Sequence, residues 1–164
     1  MLKLIAGLIS ILLFLFAGIY KSRQLYWRVH ALESFCKMIQ KAKTRIMYRK
    51  DPVHVVFREL LPQTDDIAYE LAHKISMDKA EDFNEICLCC SHRSYMTEKD
   101  EILLRDFGSF LGKSDCDSQI EQLMLIENEC RDVLREAVSE YRKKGKMYIS
   151  ASLCIGIWLV ILII

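Results

Sequence analysis

Apolar side chains recur at three- and four-residue steps along most of this chain. Leu25, Val29, Leu32, Cys36, Ile39 and Ile46 fall on one helical stripe. No breaker separates that stripe from the uncharged run Leu4 to Tyr20 before it, so run and stripe are expected to be one long helix. It should stop near Tyr48 to Lys50, because Pro52 disfavours a helical Asp51. Asp51-Pro52 then restarts the chain, with Asp as a cap and Pro at the first helical position. Val53, Val56, Phe57, Leu60 and Leu61 supply that helix's inner side, and Pro62 ends it. Ile67, Leu71 and Ile75, with Ala68 and Ala72 beside them, predict a further helix, and Phe83, Ile86, Cys87 and Cys90 another.

Two capping boxes punctuate the second half. Thr97 with Asp100, and Ser114 with Asp117, each place a hydroxyl at a cap and a carboxylate three residues on. Between them lie Ile102, Leu103, Leu104, Phe107, Phe110 and Leu111, and Gly112 stands where a helix end favours a left-handed residue. The pattern predicts a tight hairpin: helix, Gly stop, Lys113, Ser cap, helix. The last helix starts near Asp115, with Leu123, Ile126, Cys130, Val133 and Ala137 inside and Glu121, Glu127, Arg131, Glu136 and Lys143 outside. The fold class is therefore all-α, with long first and last helices closed into a bundle by shorter ones.

The 52% of hydrophobic residues is concentrated at the two ends. Leu4 to Tyr20 reaches roughly 25 Å as a helix, the short limit for a bilayer core of about 30 Å. Met147 to Ile164 is likewise uncharged. A signal peptide is the alternative for the first run, but bulky Ile19 and Tyr20 spoil the small-residue cleavage pattern. A buried core helix is the alternative for the second, but it has no polar face for a core helix to show to water. The expected organisation is a transmembrane helix over 1–20, a cytoplasmic helical bundle over 21–146 and a second transmembrane helix over 147–164. Lys21, Arg23, Arg28 and Lys37 follow the first span, and Arg131, Arg135, Arg142, Lys143, Lys144 and Lys146 precede the second. Both sets keep the middle section on the cytoplasmic side.

A net charge of +1 excludes a strong basic surplus and with it a nucleic-acid partner. Seven cysteines, an odd number with Cys154 inside a span, do not read as a disulfide framework, and a reducing compartment suits them. Cys87, Cys89, Cys90 and His92 could in principle hold zinc, but no second ligand pair stands at matching spacing. Cys87 and Cys90 fall with Phe83 and Ile86 on a core face, where cysteine acts as a small hydrophobe. Gly108 to Ser114 imitates a phosphate loop, yet it is one residue too short and no strand precedes it. His30, His54 and His73 stand alone, and Asp65-Asp66 and Asp115/Asp117 are turn and cap residues. The basic run Arg142 to Lys146 could attract anionic lipid, or could only flank the span. No catalytic, cofactor-binding or metal residue is expected.

The stretch Ile102 to Asp115 resembles the stage III sporulation protein AB family of endospore-forming bacteria. The family's FG-x-x-LG-x-SD signature matches Phe107, Gly108, Leu111, Gly112, Ser114 and Asp115, and its following Gln matches Gln119. Tyr48 with Pro52, Gly145-Lys146-Met147-Tyr148 and the Met1-Leu2-Lys3-Leu4 start fit as well, so the resemblance spans the chain. Phe83 stands where the family often has Trp, and the cysteines near position 90 lie outside the pattern. The resemblance implies a non-enzymatic, two-pass membrane component of the sporulation transport complex between mother cell and forespore, in the mother-cell membrane facing the forespore. It also implies likeness to the cytoplasmic domains of type II secretion and type IV pilus platform proteins. The implied partners are the cytoplasmic stage III AA-type secretion ATPase, other membrane proteins of the complex and the bilayer, with the signature residues as candidate contacts. A generic membrane adaptor, or a membrane-anchored metal- or thiol-dependent enzyme, is the alternative.

Overall fold

The computed structural model describes residues 2–49, 52–63, 66–77, 83–91, 95–111 and 116–163, and every element among them is helical. Helix α1 spans Leu2–Arg49, α2 Val53–Leu60, α3 Asp66–Met77, α4 Phe83–Ser91, α5 Glu98–Phe110 and α6 Cys116–Ile163. A short 3-10 turn, Leu61–Gln63, follows α2 and contains Pro62. The single long first helix is borne out, as is its end beside Pro52. Pro52 itself is the N-cap of α2, and its carbonyl accepts from Val55 N at 2.9 Å and Val56 N at 3.2 Å. The expected Asp51 cap lies outside the described residues.

These helices form two compact units, His30–Arg135 and Met1–Val29 with Glu136–Ile164, and α1 and α6 contribute to both.

In the unit His30–Arg135, the first stripe is buried at Leu32, Ile39 and Ile46 and widened by Ala31, Phe35, Met38 and Ala42. Val56, Phe57 and Leu60 are buried on α2, and Ile67, Ala68, Leu71, Ala72 and Ile75 on α3. Leu103, Leu104 and Phe107 of α5 and Leu123, Ile126 and Cys130 of α6 complete the core. Phe83 is half-buried. The Thr97–Asp100 capping box forms, with Thr97 N donating to Asp100 Oδ2 at 2.8 Å.

Two expectations are corrected here. Cys36 and Cys130 are joined by a disulfide, with Cα atoms 6.0 Å apart. They are separated by 94 residues in sequence, so no local spacing announces them; the pairing arises only where α1 and α6 lie side by side. Glu127 was expected on the outer face of α6 and is instead buried.

In the other unit, the N-terminal part of α1 packs on the C-terminal part of α6. A side chain at Gly18 would begin 2.7 Å from Ser152 Cβ and 2.9 Å from the Tyr148 carbonyl oxygen. One at Gly156 would begin 3.3 Å from Ile11 Cα. Glycine at both places lets the two backbones approach as a side chain would not allow. The outer faces are apolar and uncovered: Phe16 is 72% exposed, Trp158 64% and Ile161 71%. Among the described residues one helix, α6, is long and apolar enough to cross a membrane, and only 11% of its apolar stretch is buried within the protein.

Candidate functional site

The signature residues divide between packing positions and residues outside the described set. Phe107 is fully buried, and its ring lies 5.2 Å from Phe35, 6.2 Å from Phe57 and 6.0 Å from Phe110, each pair edge-on. Gly108 and Leu111 are buried beside it. Helix α5 ends at Phe110, and Leu111 leaves it in an extended conformation. Gly112, Ser114 and Asp115, and with them the left-handed stop and the second capping box, lie outside the described residues. Gln119 is buried on α6, and its Nε2 finds no hydrogen-bond partner among the described residues. Ser109 is exposed, with its hydroxyl turned back to the Asp106 carbonyl at 2.7 Å.

Two charged clusters lie between α1 and α6. Within the unit His30–Arg135, Glu127 accepts from Lys43 and from Arg131, the latter at 2.6 Å. Burial disfavours the Glu127 carboxylate, but the hydrogen bonds from Lys43 and Arg131 outweigh it and hold the carboxyl below its usual range. Within the unit containing both chain ends, buried Arg28 donates to Glu140 at 2.8 Å, and Lys144 donates to the same carboxylate at 2.6 Å. The Lys144 hydrogen bond outweighs burial and, with Arg28, holds Glu140 below the usual carboxylate range. On α1, Arg45 and Arg49 share Glu59 of α2.

A buried charge is costly unless it is paired, so these contacts set which faces of α1 and α6 can meet. By sequence, Arg28 and Lys144 are span flanks and Glu127 and Arg131 outer-face residues, and Lys43 and Glu140 have no assigned role. The signal was present: Arg28 lies between Leu25 and Leu32, Lys43 between Ile39 and Ile46, and Glu127 between Leu123 and Cys130, all at three- or four-residue steps on the apolar stripes.

Cys87 and Cys90 are buried in the core, as their helical spacing predicts. Burial and the neighbouring Cys90 push the Cys87 thiol up to about 12, so it stays neutral at physiological pH and is a poor nucleophile. Cys89 and His92 have side chains outside the described set.

The family model described as stage III sporulation protein AB matches residues 3–164. No curated protein and no solved structure matches the chain.

Proposed function

The chain belongs to the stage III sporulation protein AB family, and from that premise we propose that it is a non-enzymatic, two-pass membrane platform of the sporulation transport complex. The residues 1–20 and 147–164 are the two spans. The intervening helical bundle faces the mother-cell cytoplasm and couples a stage III AA-type secretion ATPase to membrane proteins of the same complex. The observation that carries the membrane part is the pair of closely packed helices whose outward faces are Phe16, Trp158 and Ile161. Such side chains have no aqueous partner and suit hydrocarbon. The basic residues at both inner flanks support the orientation. The buried ion pairs support a scaffold, since Arg28–Glu140 and Lys43–Glu127 each join α1 to α6.

The Cys36–Cys130 bond favours a second orientation, with the bundle on the oxidising side of the membrane. Labelling decides between them. An impermeant thiol reagent applied to intact sporulating cells should leave a cysteine introduced at Gln63 unmodified; modification there overturns the cytoplasmic placement. For the partner, the full chain should capture the ATPase from sporulating cells, identified by mass spectrometry. Ser109→Arg, on the exposed side of the signature, should abolish that capture without moving the thermal midpoint. Undiminished capture removes the signature surface from the contact.

A further inference from the structure

Above the outer-facing apolar side chains, in the unit that contains both chain ends, lies a cavity of about 440 Å³. Its lining is Ser22 from α1 and Tyr141, Arg142, Gly145, Lys146 and Ile149 from α6. Arg142 and Lys146 are one helical turn apart and flank Gly145. A side chain at Gly145 would begin 3.3 Å from the Tyr141 ring and 3.4 Å from Ser22 Oγ, so the glycine keeps the floor of the cavity low. Two neighbouring cations are engaged elsewhere, since Arg28 and Lys144 are held by Glu140, while Arg23 and Lys143 do not line the cavity. Among the described residues, Arg142 and Lys146 make no ion pair. The opening thus presents two uncommitted cations and a hydroxyl donor at its polar end, and Ile149 at its apolar end.

We propose that this cavity binds the phosphodiester headgroup of one anionic phospholipid, with Arg142 and Lys146 on the phosphate oxygens, Ser22 Oγ–H donating to them and an acyl chain along Ile149. A guanidinium and an ammonium converging on one anion form charge-assisted hydrogen bonds, which are stronger and more directional than the diffuse attraction of a basic flank. The apolar neighbour selects a lipid over free phosphate. The assignment rests on the reading that α6 crosses the membrane.

The test uses the full chain reconstituted in phosphatidylcholine vesicles with a minor fraction of phosphatidylglycerol, then released in mild detergent and analysed by native mass spectrometry. The expected result is one retained phosphatidylglycerol per chain. Arg142→Gln with Lys146→Gln should weaken retention about tenfold more than the charge-matched control, Arg23→Gln with Lys143→Gln. Equal losses in the two pairs mean diffuse surface attraction and overturn the site. Inorganic phosphate at millimolar concentration should not displace the lipid; displacement makes the occupant a free phosphate and overturns the lipid assignment. Alkaline carbonate extraction separates the two levels. A chain released from the vesicles refutes the membrane reading itself, whereas an embedded chain with no preference for phosphatidylglycerol refutes the cavity alone.

Discussion

Phe107→Ala is the substitution that most directly tests the role of the signature. The ring is fully buried and meets Phe35, Phe57 and Phe110 edge-on at 5.2, 6.2 and 6.0 Å. Removing a buried phenyl ring costs about 3–5 kcal/mol, the transfer of the ring plus the cavity it leaves. The ring–ring contacts, roughly 0.5–1.5 kcal/mol each, are part of that total and not an addition to it. At about 4 °C per kcal/mol for a unit near this size, the thermal midpoint should fall by roughly 12–20 °C. The assay is near-ultraviolet circular dichroism of the full chain in detergent, which reports the packing of these aromatic rings. Phe110→Ala is the comparator. Its ring is half-buried, so about 1–2 kcal/mol is expected. Phe107→Leu, which keeps most of the volume and loses the ring pairs, should fall between the two. Equal losses at Phe107 and Phe110, or a Phe107→Ala loss under about 1 kcal/mol, would refute the assignment of Phe107 as the packing centre of the signature.

Three further outcomes follow from the helix pair. Glu127 is held below its usual range in the folded protein, so its contribution is complete above the unfolded value, near 4.5, and is lost as pH falls through the folded one. Glu127→Gln should therefore cost about 1–3 kcal/mol at pH 7 and much less at pH 3, read from denaturant midpoints at both pH values; an unchanged gap contradicts the pairing. Gly18→Ala should destabilise the helix pair by about 1–3 kcal/mol, more than Gly156→Ala, because its Cβ meets Ser152 Cβ and a backbone oxygen inside contact distance; thermal midpoints in the opposite order contradict the close approach. Reducing Cys36–Cys130, which closes a loop of 94 residues, should lower stability by about 4–5 kcal/mol on the chain-entropy account. A Cys36→Ser, Cys130→Ser chain should then melt at the same temperature with and without reductant; a remaining shift points to a different pair.

Period and punctuation were sufficient to read the elements from sequence. Six helices follow from apolar steps of three and four, from Pro52, and from the Thr97–Asp100 box, because helix formation and capping are settled by residues within one or two turns. Most of the core side of these helices was legible for the same reason, down to Cys87 and Cys90, with Glu127 on α6 the exception. Family membership was legible at Phe107 to Gln119, although nothing in the sequence distinguished a packing role for Phe107 from a contact role. What faces what was decided only in three dimensions. Arg28 with Glu140, Lys43 with Glu127 and Cys36 with Cys130 join positions 112, 84 and 94 residues apart, and Gly18 lies against Ser152, which is farther away still in the chain. Local spacing put these ions on the apolar stripes, but a charge can lie there only if an opposite charge arrives from another helix. That arrival depends on the relative rotation of α1 and α6, which the summed packing of both helices determines and no single stretch of sequence encodes.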